Sequence, residues 1–548
     1  MKWFFKMMLP ALVLVSCSKE GGSPVEVSPV STKENVEVVA HDVIELGRKL
    51  ENPYSVTNVG KALAALYPTR GEVSVPVTDY YVRFLPKDTV QFNLLSDLGV
   101  EMLDHPMDCE ILRDGDYYHD PSVPEGEITW QYAVVPPDFD FPQGIRYEIL
   151  EECFIPDEEV ETRSPGDFDW NAVERMAFEV TGNNGLLEPE TRAKARPSGR
   201  ITIVDDKLRS KKTVGVAGVK MVANVFVKIA TTYTDENGNY EFSRKFSARP
   251  RYRICFKNRV GFSIGLNLIL IPASISAIGK GSSTGIDLTI DKNSDATLFR
   301  RCVVNNAAYD YFKKCQATGV TMPPKNLRFW ILNILRPSST LMMHHGALLD
   351  NKLVSKYIGK YASIVRIFAP DITIGSKDKN GDYAALYSTT VHEMAHASHF
   401  NKVGTDYWRK YATYILTSYI STGDCYGTGN GENAGYCEIG EMWAYYMENA
   451  LYKERYGRNP GFGNEYWFKS QILSELEAGG ISRSDILDCM GYYTNDIKIL
   501  KSVLLENRAD KAALIDKVFK KYGRLPDLCF NSLISERNDR KMTCHSSF

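Results

Sequence analysis

Val391-His392-Glu393-Met394-Ala395-His396 sets two histidines four residues apart, with a glutamate directly after the first. On a helix, residues four apart lie one turn above each other on the same face, so the imidazoles of His392 and His396 can converge on one metal ion. Glu393 reaches the same edge, where its carboxylate can take a proton from a water at the metal. The chemistry expected is metal-assisted hydrolysis. Zinc suits these donors, because a catalytic zinc takes three protein ligands of this kind and keeps a fourth position open. Ala384-Ala385-Leu386-Tyr387 and Thr389-Thr390-Val391 lead in without Gly or Pro, and the spacing predicts a helix over 384–399. With nine histidines in the chain, the chance of an accidental H-E-x-x-H is about one in a hundred. The plain alternative is two surface histidines one turn apart.

The third ligand separates the classes. Metzincin metallopeptidases place Gly three residues and His six residues after the second histidine; here those positions hold His399 and Lys402, which excludes that class. His399 lies a further turn along, too far to close the same tetrahedron, and is expected beside the site or at the surface. Asp406, in Gly404-Thr405-Asp406, is a weak candidate because the spacing after it is wrong. The segment from Tyr436 to Glu448 has helical spacing, with Trp443, Tyr446 and Met447 on one face and Glu441, Tyr445 and Glu448 on another. Its Glu441-Met442-Trp443-Ala444 run resembles the glutamate-ligand helix of the gluzincin metallopeptidases. That resemblance implies zinc ligands His392, His396 and Glu441, with Glu393 as the catalytic base. Many gluzincins carry an acidic residue four positions after the ligand, where it holds a zinc-bound histidine. Tyr445 stands there in this chain, so that role is open or passes to Glu448. Glu438, one turn earlier, is the rival ligand, and the third possibility is that both glutamates are solvated helix charges.

Other chemistry-bearing residues read as structural. Cys425 and Cys437 bracket most of a Gly-rich stretch, Ser421–Gly435, and either close it with a disulfide or remain thiols. Cys302 and Cys315 could also pair. Adjacent side chains diverge, so His344-His345 favours a surface turn over a metal site. A surface turn is likewise expected at His119 and Asp120. The extended run Ile364-Val365-Arg366-Ile367-Phe368-Ala369-Pro370 precedes the active-site helix, as the edge strand of zincin folds does, and such an edge can hold an extended peptide.

The elements that must position these residues fall into several units, since 548 residues allow about three or four domains. Residues 1–17, MKWFFKMMLPALVLVSC, combine Lys2 and Lys6 with a short apolar run and are expected to be a signal peptide. Leu14-Val15-Ser16-Cys17 resembles the bacterial lipobox, which implies acylation of Cys17. Ser18-Lys19-Glu20 resembles the export signal of surface lipoproteins in some Gram-negative bacteria. Residues 18–41 read as a flexible tether. Residues 42–192 form a small α/β domain, with helices expected at Val43–Leu50, Val59–Leu66 and Val90–Leu98, a strand at Asp79–Leu85, and short extended runs at Val100–Leu103 and Glu110–Leu112. Residues 199–292 look all-β, with runs at Arg200–Val204, Val219–Ile229, Tyr240–Phe246 and Tyr252–Phe256 and an Asn237-Gly238 hairpin turn. Gly199-x-Ile201, Gly218-Val219-Lys220-Met221 and Thr234-Asp235-x-x-Gly238-x-Tyr240 resemble the carboxypeptidase regulatory-like domain, which implies an accessory transthyretin-like β-sandwich without chemistry of its own. Residues 296–548 are mainly helical and carry the metal motif. The fold class expected is therefore multidomain: an α+β, zincin-like, mainly helical catalytic domain after a central transthyretin-like β-sandwich and a small N-terminal α/β domain.

Lys+Arg 65 against Asp+Glu 68 gives a net charge of −3, which provides no basic field for nucleic acid. Eleven cysteines are too few to replace a hydrophobic core with disulfides. The function expected is a membrane-anchored zinc metallopeptidase acting on protein or peptide substrates, held by its lipid anchor at the outer membrane or cell surface of a Gram-negative bacterium. The alternatives are a surface binding or adhesion lipoprotein with a structural or vestigial zinc site, and zinc-dependent amide hydrolysis of cell-wall or glycoconjugate substrates. The N-terminal domain suits either an inhibitory pro-segment or a docking module.

Overall fold

The computed structural model describes residues 43–522 apart from 72, 116, 125–126, 157–167, 190–195, 211, 266–274, 333–340, 343–370 and 376–381. Cys17 with the leader and tether, His344-His345, the run Ile364–Pro370 and the segment beyond 522 lie outside the described residues.

The first unit contains β1 (Glu45–Lys49), α1 (Val56–Leu66), β2 (Asp79–Leu85), α2 (Thr89–Asp97), β3 (Cys109–Arg113), β4 (Gln131–Val135), β5 (Arg146–Cys153) and α3 (Trp170–Val180). β1 pairs with β3, and β2 lies between β4 and β5, all antiparallel. Helices α1 and α2 sit where their spacing predicts, and the side chains of Ser55 and Asp88 accept from backbone N–H groups of their first turns. The helix expected over Val43–Leu50 is instead the strand β1. Gly47 weakens a helix there, and the segment's backbone groups find partners across space: Ile44 donates to the Tyr117 carbonyl at 2.8 Å and Leu50 to that of Asp108 at 2.7 Å.

The central region contains β6 (Ser198–Val204), β7 (Thr213–Gly215), β8 (Val219–Val225), β9 (Lys228–Tyr233), β10 (Asn239–Glu241), β11 (Arg251–Asn258), β12 (Phe262–Ile264), β13 (Ile275–Lys280) and β14 (Leu288–Ile290). One sheet joins β6 to β7, β10 and β14; in the other, β11 has β8 and then β9 on one side and β12 and β13 on the other. Ile201, Ile203 and Tyr240 of the first sheet and Met221, Ala223 and Ile254 of the second are buried in one core. Two local expectations change. The run Val219–Ile229 is a hairpin, broken at Phe226 with φ 48°, so that Val225 faces Lys228. Asn237-Gly238 does turn the chain, but it links β9 to β10, which belong to different sheets. Gly238 has φ +81°, and a Cβ there would meet the Ile201 carbonyl oxygen at 2.0 Å, so glycine is required twice over.

The third region contains α4 (Ala296–Thr318), β15 (Leu327–Leu332), β16 (Leu341–Met342), β17 (Ile372–Gly375), α5 (Tyr383–Val403), α6 (Thr405–Thr422), α7 (Ala434–Tyr456), α8 (Gln471–Ala478), α9 (Arg483–Asp488), α10 (Ile497–Asn507) and α11 (Ala512–Lys521). β15 pairs in parallel with both β12 and β17, and β16 runs antiparallel to β17 as the last strand on that side among the described residues. The sheet therefore continues from the central region into the helical one. One apolar core extends from Tyr54 through Met221 and Tyr252 to Trp443 and Phe519. The protein is multidomain, built of helices and sheets, and its units are welded through that core.

A buried polar contact ties the central sheets to the helices. Asp205, just after β6, is fully buried and accepts from Arg455 Nη2 at 2.9 Å and from the Tyr456 hydroxyl at 3.1 Å. The Arg455 guanidinium also lies 4.8 Å from the ring centroids of both Tyr383 and Tyr387. Arg455 belongs to α7 and the two tyrosines to α5, so one cation clamps both helices to the sheet.

Candidate metal centre

Helix α5 starts at Asp382, whose side chain accepts from the Ala384 N–H at 2.9 Å, and stops at Gly404. Helix α7 starts after Asn433, which has φ 65°. Gly435 lets it begin against the segment before α10, because a Cβ there would meet the Asn495 carbonyl oxygen at 2.0 Å. α5 and α7 form the most extensive helix–helix contact among the described residues. Both are buried almost all round, so polar side chains on their facing sides meet each other and not water.

His392, His396 and Glu441 are brought together there. One ligand atom from each lies within 4.8 Å of the others, and all three residues are buried. His392 Nε2 and His396 Nε2 are 3.1 Å apart. Glu441 Oε2 is 3.5 Å from the first and its Oε1 is 3.5 Å from the second. Ligands at 2.0–2.1 Å from a tetrahedral ion stand about 3.3 Å from one another, so the spacing fits one ion held by two nitrogens and a carboxylate. His392 Nδ1 meets Glu448 Oε2 at 3.1 Å. That bond places the proton on Nδ1 and leaves the Nε2 lone pair facing the other two ligand atoms. This buried group could hold a metal ion.

The two carboxylates favour a second proton on His392, which a metal ion binding at Nε2 would displace. Burial disfavours charge on Glu441, yet His396 and His392 hold its carboxyl down at about 2. Burial opposes protonation of His392, but Glu441 and Glu448 raise its pKa well above the ordinary histidine value. Burial lowers that of His396. Glu393 is buried beside them, and desolvation, reinforced by Glu441 and Glu448, pushes its carboxyl up to about 8 despite the opposing pull of His392. A cation at the centre would favour the ionised form of Glu393.

The remaining candidates separate cleanly. Glu438 is buried one turn from Glu441 but is not in the cluster, so neither glutamate is a solvated helix charge. Glu448 holds His392, while Tyr445 packs its ring against His392 with centroids 4.5 Å apart. His399 is buried, not at the surface; its ring packs against Tyr407 and Trp408, and burial pushes its pKa down to about 3, keeping it neutral. Asp406 lies on the surface, paired with Arg409 at 2.9 Å. Cys302, Cys315 and Cys437 are buried thiols, so neither suggested disulfide is formed. His119 is partly buried, with Nε2 2.9 Å from the Val123 carbonyl oxygen.

Two residues that no sequence motif singles out complete the site. Tyr411 on α6 donates its hydroxyl to Glu441 Oε1, and Tyr426 from the Gly-rich turn donates to Oε2 at 3.1 Å. Both lone-pair faces of the carboxylate are thereby oriented. No spacing rule links positions 411 and 426 to 441; only a signal of many tyrosines in 407–426 was present.

Glu448→Ala should weaken metal binding by about 10–100-fold, because the partner that orients His392 is lost. His399→Ala should keep the metal and instead lower stability by about 2–3 kcal/mol, the cost of truncating a packed ring. Chelator competition and urea denaturation separate the two, and metal loss in His399→Ala as complete as in His392→Ala would overturn the assignment. No protein family, curated protein or solved structure matches the chain, so its chemistry has to be read from its own residues.

Proposed function

We propose that the chain is a zinc metallopeptidase of the gluzincin type, with a zincin-like catalytic region, anchored to a membrane through Cys17. The observation that carries this is the buried group of two imidazole nitrogens and one carboxylate, on the helices α5 and α7, with Glu393 buried next to the first ligand. Two imidazoles, one carboxylate and a position left for substrate are the donor set of a catalytic zinc site. The antiparallel edge strand β16, with β17 beside it and α5 packed against both, supports the zincin-like arrangement. The two facing central sheets support a transthyretin-like accessory module of the carboxypeptidase regulatory-like kind.

His392 and His396 would hold the ion through Nε2 and Glu441 through its carboxylate. When bound, zinc supplies Lewis acidity to the scissile carbonyl and to the attacking water. Glu393 accepts the proton of that water and delivers it to the leaving amine nitrogen. A buried carboxyl suits the second half of this task, because its protonated form is well tolerated between the two transfers. Glu448 keeps His392 in one tautomer, and Tyr411 and Tyr426 fix the Glu441 carboxylate. An extended peptide pairs with the edge strand of this sheet through main-chain hydrogen bonds.

Metal analysis of the purified protein, with cleavage of a mixed peptide library, tests the proposal. Zinc bound with no peptide cleaved would favour the binding or adhesion lipoprotein instead. Anchoring has its own test: Cys17→Ser should move the protein out of the detergent phase on Triton X-114 partitioning, or block its maturation. Unchanged partitioning of the variant would remove the lipoprotein assignment.

A further inference from the structure

A second polar site lies away from α5 and α7, where the N-terminal unit meets the central sheet. A cavity of about 420 Å³ opens between β3, the turn after α3, and the strands β8, β11 and β13. Arg249, Arg251 and Arg253 all line it. Their spacing of two residues, running into β11, sets them on one face of an extended chain. Lys280 of β13 lines it as well and stands directly opposite Arg251 in the strand register. Like charges facing each other across a ladder are destabilising, so this arrangement is costly as it stands.

The chain itself offers little to offset that cost. Arg253 is buried, and among the described residues no carboxylate touches its guanidinium: Nη1 donates to Asn224 Oδ1 at 2.6 Å and Nη2 to His105 Nε2 at 2.9 Å. His105 passes its other nitrogen to Asp104 at 2.9 Å, so the nearest anion on that side is one side chain removed. Arg251 pairs with Asp114. Arg249 donates to the Gly185 carbonyl at 2.9 Å. Lys280 has no ion-pair partner among the described residues, and burial together with Arg251 and Arg249 lowers its pKa. Among the described residues Glu110 is the one carboxylate in the lining, against four cations. The other walls include the apolar side chains of Met107, Ile111 and Phe226.

We propose that this cavity binds a small organic molecule bearing a tetrahedral oxyanion, a phosphate or sulfate monoester, with the anion among Arg251, Arg253 and Lys280 and the organic body against Met107 and Phe226. A carboxylate offers only two oxygens in one plane, fewer than these cations can use. A tetrahedral group presents three terminal oxygens, and Arg forks match it well.

The test uses the full-length protein in detergent, with phenyl phosphate, phenyl sulfate, benzoate and neutral benzyl alcohol as probes, followed by calorimetry. At least one ester should bind about tenfold or more tightly than benzyl alcohol and benzoate, and its affinity should fall between about 20 mM and about 300 mM salt. The better of the two esters identifies the head group. Arg249→Gln with Lys280→Gln, both at the exposed mouth, should weaken ester binding about tenfold while metal content stays unchanged. Arg253→Met should abolish binding; if that variant does not fold, the double variant decides. Absence of ester binding at about 10 mM, equal binding of benzyl alcohol or benzoate, or unaltered binding in the double variant would overturn the proposal.

Discussion

Glu441→Ala should lose both its metal and all peptide hydrolysis, whereas Glu438→Ala should retain the metal. Glu441 is fully buried, its two oxygens stand 3.5 Å from the ligand nitrogens of His392 and His396, and two tyrosine hydroxyls fix its orientation. Without it, two neutral imidazoles must hold a dication in a water-poor site, and the Tyr411 and Tyr426 hydroxyls lose their acceptor. Affinity should fall by at least roughly two powers of ten, read as metal content after dialysis against a weak chelator. Circular dichroism on the same samples separates ligand loss from unfolding, and Glu441→Gln, which keeps the volume, provides a second variant. Glu438 lies one turn away and outside the cluster, so its removal leaves the three ligands in place. Metal retained in Glu441→Ala but lost in Glu438→Ala would transfer the ligand role to Glu438.

Glu393→Gln should behave differently from every ligand variant. Glutamine fills the same space and hydrogen-bonds, but it cannot accept and carry a proton. Metal content should stay at the wild-type level while kcat/KM for peptides falls by about two to four powers of ten, the usual contribution of a positioned general base. In transition-state terms that is about 3–5.5 kcal/mol. Full peptide cleavage in Glu393→Gln would show that another group moves the proton. Loss of the metal would place Glu393 among the ligands.

The metal helix was legible in the sequence because everything it needs is local. The i, i+4 pairing of His392 with His396 and the uninterrupted lead-in from Ala384 act within one element, whose capping by Asp382 and stop at Gly404 only the structure added. Other local signals were correct as far as they reached. Asn237-Gly238 does place a positive φ at Gly238, yet turn chemistry does not state which strand the chain will join next, and β10 went to the other sheet. The apolar spacing of Val43–Leu50 suits a helix or a strand, and β3 decided between them by supplying a neighbour.

The sequence alone determined the residue types at the centre: two imidazoles one turn apart, a carboxylate beside the first, and a later helix carrying Glu438, Glu441 and Glu448. Which of those glutamates faces the histidines was decided by the tertiary structure. Packing of α7 on α5 rotates Glu441 into the pair of imidazoles, sends Glu448 to His392 Nδ1, and leaves Glu438 outside. Tyr411 and Tyr426 reach Glu441 through the fold of α6 and a Gly-rich turn, and the Arg455 clamp reaches Asp205 across 250 residues. The physical reason is the range of the forces that set each feature. Helix periodicity and capping are written over a few neighbouring residues, whereas the rotation of one buried helix on another is set by close packing and by the need to pair every buried polar group, and both are satisfied only by the whole chain at once.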